Sequence, residues 1–557
     1  MRILFFLLLF QFCYFLSYSQ ESKEGTISGN FQTDVQFYKP DSLIGAPVVP
    51  EKVLMNSYAN IIYTKGKFSA GTRFESYLNT LQGFDKRNNG VGFPYRWASY
   101  NNDDLEFTIG NFYEQFGSGL VLRTYDDKSI GYDNAFDGIR LKYKLYNGVY
   151  LKGLIGKQRS FFQEDSKGFS FVKNGVGIVR AIDGEVSVNE LFAKLSEKPL
   201  KINFGGSFVS KFQKDEDPLY NLPENVAAYS GRTVINYKKI NLTAEYAQKI
   251  NDPSDDNKYI YKKGEAALIS MSYSKKGLGV ILGAKRIDNM SFRSDRNAKL
   301  QNLNINYIPV ISKNHAYNLA AMYPFASQPN GEMGVQGEII YKFKKNSLLG
   351  GKYGTNLSLN FSSIKDIARS NINDSTEIGE SGTLGYKSDF FSIGKDALYQ
   401  DFNVEISKKV NDKFSFTIMY MNLFYNFDAL RGVKDHESVF AHIGVADLTY
   451  KLTDNKAIRL ELQNLTTQQD MGSWGMALLE YSISPKWFFA IYDQYNYGNS
   501  QDNLKIHYFN TSIGFSKNST RFQIGYGRQR EGVMCVGGVC RLVPASNGLT
   551  LSITSSF

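Results

Sequence analysis

Apolar and polar residues alternate with a period of two along most of this chain. In "TISGNFQTDVQF", Ile27, Phe31, Val35 and Phe37 share one face of an extended strand, and Ser28, Asn30, Gln32, Asp34 and Gln36 share the other. "KFSAGTRFESYL" sets Phe68, Ala70, Phe74 and Leu78 against Ser69, Arg73 and Glu75. "GIRLKYKL" sets Ile139, Leu141, Tyr143 and Leu145 against Arg140, Lys142 and Lys144, and "AIRLELQ" sets Ile458, Leu460 and Leu462 against Arg459, Glu461 and Gln463. This period predicts strands with one apolar face. No sustained helical stripe follows residue 20, so the chain is predicted to be all-β.

The connections alternate as well. Short ones, rich in Lys, Asn and Asp, fall at 64–67, 101–104, 146–148, 196–199, 238–239, 274–277, 344–347, 411–413, 453–456, 484–486 and 517–520. Longer ones fall between them, at 39–52, 80–94, 159–177, 213–224, 251–262, 293–333, 367–397, 428–438 and 532–544. Tight turns on one side and long loops on the other predict a transmembrane antiparallel up-and-down β-barrel of about 24 strands, within a range of about 22 to 26. Ten residues at ~3.3 Å each, tilted by ~45°, project to ~23 Å, close to the ~25 Å apolar band of such barrels. A soluble sheet also alternates, and a propeller would repeat every ~40–50 residues; no repeated signature is present.

The two ends and the turns favour the barrel. Arg2 is followed by Ile3 to Leu16, apolar except for Gln11, and then by Ser17, Tyr18 and Ser19. This pattern predicts a signal peptide at 1–19, removed before Gln20, with 20–557 as one barrel domain. The apolar run, ~14 residues, is short of the ~20 that a spanning helix needs. Cys13 follows "FQF" and lacks the small residues of a lipoprotein signal. The final "GLTLSITSSF" puts Leu549, Leu551, Ile553, Ser555 and Phe557 on one face and Thr550, Ser552, Thr554 and Ser556 on the other. It is predicted to close the barrel against the strand near Ile27–Phe37, with lipid over its apolar face and Phe557 at the periplasmic rim. Lysines recur in the short turns, among them Lys65, Lys67, Lys238, Lys239, Lys344 and Lys345, where they suit lipid phosphates. Outer-membrane lipid is therefore an expected partner.

Composition adds little to this and removes some alternatives. Aromatics reach 15%, through 37 Tyr and 41 Phe, an odd balance for a soluble enzyme. The formal charge is +10, with no basic run or arginine-rich helix, so nucleic acid is not an expected partner. Beyond the leader the only cysteines are Cys535 and Cys540 in "CVGGVC", expected to clip a hairpin tip as a disulfide in an exported chain. A zinc site would need four ligands, and no His lies nearby.

Residues 110–138, "GNFYEQFGSGLVLRTYDDKSIGYDNAFDG", resemble a motif of an uncharacterised Bacteroidota family of outer-membrane barrels, catalogued only as a domain of unknown function. The resemblance extends over most of the mature chain and is dense again in "NYIPVISKNHAYNLAAMYPFA", 306–326. It implies the cell outer membrane and a barrel, and no activity. A last strand ending in Phe also resembles the signal that bacterial barrels present to their assembly machinery. That makes Phe557 an assembly signal and the machinery a partner during biogenesis.

The lumen poses the main chemical question. Barrels of 16–18 strands leave an aqueous channel, and 22-stranded transporters carry a plug. Here the first strand begins near Thr26, leaving no room for a plug domain, and no energy-coupling segment is evident in "QESKEG". The lumen is therefore expected to be closed by inward-folded loops or by a partner. In 110–138, Gly117–Ser118–Gly119 break the strand, and Glu114, Arg123, Asp126 and Asp127 flank the break. The acids do not fit the spacing of a calcium loop, so the segment is expected to fold inward and form salt bridges. Loops 293–333 and 367–397 are the internal candidates. The first is unusually apolar and carries Tyr307, His315, Tyr323 and Phe325; a partner-binding outer loop is the alternative for it. The candidate lumen and constriction residues are thus Glu114, Arg123, Asp126, Asp127, Tyr307, His315, Tyr323 and Phe325.

No catalytic residue, cofactor or metal site is expected. The four histidines are His315, His436, His442 and His507, and "KDHES" places Asp435, His436, Glu437 and Ser438 in an outer loop where neighbours point apart. Three readings follow. The first is a channel or transporter for a bulky solute. The second is a non-enzymatic subunit of a larger outer-membrane complex for secretion or for barrel or lipoprotein assembly. An outer-membrane hydrolase ranks last.

Overall fold

The period-two segments hydrogen-bond in chain order into one antiparallel sheet of 24 strands, from Thr26–Tyr38 to Ser546–Ser556, and the sheet closes on itself. The computed structural model describes residues 25–164, 170–299, 302–536 and 539–557. The expected signal peptide, 1–19, lies outside the described residues. So do the side chains of 534–541, and with them the expected Cys535–Cys540 bridge; the backbone sets Cys535 opposite Cys540 in the hairpin Gly532–Val536/Val539–Val543.

Closure occurs where the sequence places it. Asn30 pairs with Ser556 and Tyr38 with Gly548, while the other edge of the last strand pairs with Thr520–Gln529. Gly29 and Phe557 exchange backbone hydrogen bonds of 2.9 and 3.0 Å. Val35, Leu551 and Ile524 lie side by side on the outer face, and Ser552 Oγ donates to Asp34 at 2.7 Å on the inner one. The last strand therefore has two neighbours, which keeps its end from fraying.

Polarity is reversed relative to a soluble sheet. Ile139 and Leu145 are 43% and 57% exposed, whereas Arg140 and Lys142 between them turn inward onto Glu106 and Glu114. Phe68, Ile269, Ile418 and Ile491 continue the exposed apolar belt around the wall. A belt of this size needs an apolar medium around it. Twenty-four strands ~4.8 Å apart, tilted by ~45°, give a wall radius of about 26 Å. Wall side chains alone are far too short to fill that width.

Some connections differ from expectation. The turn expected at 196–199 runs from 188 to 199 and holds the short helix Val188–Leu191. The one expected at 344–347 runs from 344 to 354. The loop expected at 159–177 is largely strand, because Val149–Glu164 and Ser170–Ser187 extend the hairpin beyond the pairing of their neighbours, and Phe162 near its end packs against Tyr77 at 6.2 Å between ring centroids. Segment 367–397 is for the most part exposed. Leu384 and Phe391 are exposed; Tyr261 N–H donates to Thr383 O at 2.7 Å, and only a part of the segment turns in, where Tyr386 is buried and its hydroxyl donates to Asp288 at 2.6 Å and Arg369 donates to Asn330 O at 3.0 Å. Its composition, dense in Ser, Asn, Asp, Glu and Gly, suits water rather than a packed interior.

Candidate functional site

Two segments, 113–135 and 289–331, leave the wall and pack against its inner face. On one side that face presents Val179, Ala181, Val209, Ala228, Ala247 and Ala266, whose small side chains leave room for an incoming chain. Phe116, Leu120, Val121 and Leu122 of the first segment and Phe292, Ile305 and Ile308 of the second fill it, all buried. Gly117 and Gly119 adopt positive φ, +53° and +100°. A Cβ on Gly117 would lie 2.6 Å from the Glu245 carboxylate, so glycine is required where the chain meets the wall. Ser118 donates to Glu245 through its backbone N–H (2.7 Å) and its hydroxyl (2.6 Å).

The segments interlock. Arg123 N–H donates to Ile305 O at 2.8 Å and Tyr307 N–H to Gly119 O at 2.9 Å. Asn306 Nδ2 donates to both Leu120 O (3.2 Å) and Met290 O (2.8 Å). Wall lysines grip the backbone of the second segment: Lys211 Nζ donates to Arg293 O at 2.8 Å and Lys285 Nζ to Pro309 O at 2.6 Å. Each of these buried ammonium groups has its own counter-ion, Asp252 at 2.8 Å and Glu332, which offsets the cost of burying charge.

The far end of the first segment is held by ions. Arg73 and Glu75 lie on one strand, Phe68–Leu78, and Arg159 on another, Val149–Glu164; both strands break register at these residues. Bulges of this kind re-aim side chains. Glu75 forms an ion pair with Arg73 Nε at 2.6 Å and accepts from Arg159 Nη2 at 2.6 Å. The same guanidiniums reach into the segment: Arg73 pairs with Asp126 at 2.8 Å and with Asp133, and Arg159 pairs with Asp133 at 2.7 Å. Lys128 joins Asp126 at 3.0 Å, which leaves three cations facing three carboxylates.

Burial alone would push the Asp133 carboxyl up, but the guanidiniums of Arg159 and Arg73 outweigh it and hold the group well below the usual carboxylate range. A depressed carboxyl stabilises above its unfolded value, ~3.9, and that stabilisation is lost as pH falls through the folded value. Hydrogen exchange in 125–133, corrected for intrinsic rates, is therefore expected to stay slow at pH ~5 and to accelerate only below ~4. Acceleration already near neutral pH would show that Asp133 does not anchor the segment.

Further round the wall the inner face is apolar, through Met419, Met421, Leu423, Ala441, Ile443 and Val445. The second segment covers it with Ile311, Leu319, Met322, Tyr323 and Phe325. Polar groups fix the contact. His315 Nε2 meets Asp401 Oδ2 at 2.6 Å, Tyr323 OH donates to Asp470 at 2.8 Å, and Leu319 N–H donates to Gln463 at 2.8 Å. A cavity of about 740 Å³ remains between this segment, the strand Trp487–Tyr495 and the run 528–533.

Of the residues singled out from sequence, Arg123, Tyr307, His315, Tyr323 and Phe325 line this one cavity. Glu114 and Asp126 do not. Glu114 is buried near Lys142 (3.2 Å) and Arg140 (3.6 Å), and Asp126 belongs to the ionic cluster. Asp127 lies apart and accepts from Ser129 N–H at 2.9 Å. Of the other histidines, His436 stacks on Phe427, His442 meets the Tyr420 hydroxyl at 2.8 Å, and His507 meets Asp493 at 2.6 Å. Sequence reasoning missed Arg528 and Arg530, which line the cavity, and the wall partners Glu75 and Arg159. One signal was available: "FSFTIMYMNLFY", 414–425, is apolar on both faces, as a wall strand is only when something covers it from inside.

A family model, described as "Family of unknown function (DUF6029)", matches residues 1–557. No curated protein matches. Three solved barrels are similar in fold. The siderophore receptor PirA from Pseudomonas aeruginosa is 10% identical over 97% of this chain and 81% of that one, with a TM-score of 0.41. The translocation pore of the P pilus usher PapC is 7% identical over 95% and 99%, with a TM-score of 0.39. A mutant Rh. blastica porin is 12% identical over 64% and 100%, with a TM-score of 0.25. The likeness is one of barrel fold and goes no further.

Proposed function

We propose that this chain, which belongs to the family of unknown function DUF6029, is a channel- or transporter-like barrel of the bacterial outer membrane whose lumen is occluded by its own segments 113–135 and 289–331. One observation carries the reading: the wall is apolar on both faces where the second segment lies. Tyr420 and Phe440 are exposed on the outside, while Met421 and Ile443 are buried on the inside. Lipid suits the first face and an inserted chain the second. On this reading a solute passes by way of the cavity beside the second segment. The test is single-channel recording of the purified full-length chain in planar bilayers. The expected result is no steady large-conductance state. A constant current at or above that of an open 16–18-stranded porin would overturn occlusion.

A second reading, a subunit of a larger outer-membrane assembly, is favoured by Leu348. It is 97% exposed, beside Leu349 in the extended 344–354 turn. A stoichiometric partner retained on purification from native membranes would support it; a chain that purifies alone and conducts on gating would not.

A further inference from the structure

The cavity's charge is one-sided. Arg123, Lys313, Arg528 and Arg530 line it, with Glu531 as its only acid among the described residues. Two of these cations are already neutralised, Lys313 by Glu338 at 3.4 Å and Arg528 by Asp41 at 2.7 Å. Arg123 and Arg530 form no ion pair among the described residues. The hairpin beside them brings no counter-charge, since 534–541 read "MCVGGVCR" and contain no acid. Asp470 bears on Arg530 from beyond ion-pair distance, and a guanidinium left without an ion pair in a recess is costly unless an anion joins it.

Their settings suit a particular kind of anion. Arg123 lies over the rings of Tyr307 at 4.0 Å and Tyr125 at 4.8 Å. A guanidinium held by its faces presents its N–H donors at its edge, the geometry that receives a carboxylate. Arg530 spends one N–H on Glu531 O at 3.0 Å and lies 5.9 Å from the Trp474 ring. Burial holds its guanidinium below the ordinary value. The remaining lining includes five aromatic side chains, Tyr307, Tyr323, Phe325, Tyr399 and Tyr492. About 740 Å³ falls within the range of pockets that enclose small organic molecules.

We infer that this cavity binds an organic carboxylate with a ring or branched apolar body, its charge on Arg123 and Arg530 and its body against the tyrosines. The inference rests on the channel reading above and names the class of solute that passes. Phosphate or another small inorganic anion satisfies the guanidiniums but leaves the aromatic lining unused.

The test is calorimetric titration of the purified full-length barrel with 1-naphthoate, 1-naphthylmethylammonium and inorganic phosphate. Naphthoate is expected to saturate near one site per chain. The ammonium, with the same ring and the opposite charge, is expected to bind about tenfold or more weakly, as is phosphate. Arg123→Gln and Arg530→Gln should each weaken naphthoate about tenfold. Arg→Lys at the same positions keeps charge and fold and should cost an intermediate factor, so a failure of the Gln forms to fold does not decide the matter. Equal binding of the ammonium, or naphthoate binding unchanged in the lysine forms and in folded glutamine forms, would overturn the proposal. Phosphate binding as tight as naphthoate would overturn its organic part. The two readings separate in parallel bilayer recordings. Saturable naphthoate binding without any effect on current removes the channel reading alone, and current in a chain that does not bind naphthoate removes this inference alone.

Discussion

Replacing Glu75 with alanine is expected to free the Tyr125–Asp133 end of the first inward segment while its Phe116–Leu122 end stays docked. Glu75 is 0% exposed and holds two guanidiniums, those of Arg73 and Arg159, at 2.6 Å. Removing one partner from a buried ionic cluster costs about 3–5 kcal/mol, because Asp133 and Asp126 are left to balance Arg73, Arg159 and Lys128. Against this stand four buried apolar side chains, Phe116, Leu120, Val121 and Leu122, at about 1.5–3 kcal/mol each. Their sum exceeds the loss, so the segment should open at one end only. Limited trypsin digestion of the folded barrel measures this. New cleavage is expected after Lys128 and not after Arg123, with a lowered unfolding midpoint. Unchanged resistance at Lys128 would mean that the cluster does not hold the segment. Equal cleavage at both sites would mean that the apolar end is not its anchor.

The parts of this architecture that were legible in the sequence are those set by local repetition. Strand number followed from the period of two and the alternation of short and long connections, and closure followed from a last strand that needs two neighbours. The break at Gly117–Ser118–Gly119 and the apolar loop 293–333 stood out because each contradicts its setting: a loop has no reason to be that apolar, nor a strand to carry that much glycine. Pairing across distance was not legible. Asp133 meets Arg73 sixty residues away, through a strand irregularity that no composition announces. Arg528 and Arg530 read as an ordinary polar strand end, and only the fold brings them beside Tyr323. Segment 367–397 misled for the opposite reason. Its length suggested burial, while its residue types had already answered for water.

Deleting 305–326 is expected to produce a steady open current in planar bilayers with the barrel still folded. The wall does not depend on this segment for its own hydrogen bonds, which run strand to strand through the closing pair. The buried groups left behind keep partners. Lys285 loses Pro309 O but retains Glu332, and Asp401 loses His315 but retains Asn403 at 2.8 Å. The cost falls on the inner apolar face, where Met419, Met421, Leu423, Ile443 and Val445 would meet water, so a lower unfolding midpoint is expected with strand content unchanged. The first segment should loosen too, since Arg123 loses Ile305 O and Gly119 loses the Tyr307 N–H. With a wall radius of about 26 Å, little of the chain would then remain across the opening. The charge of Arg123 and Arg530 would line a wide pore rather than a recess, so the current should be large but weakly anion-selective. A folded deletion variant with no gain in conductance would place the closure elsewhere. A large current from the parent chain itself would show that these two segments narrow the lumen without closing it.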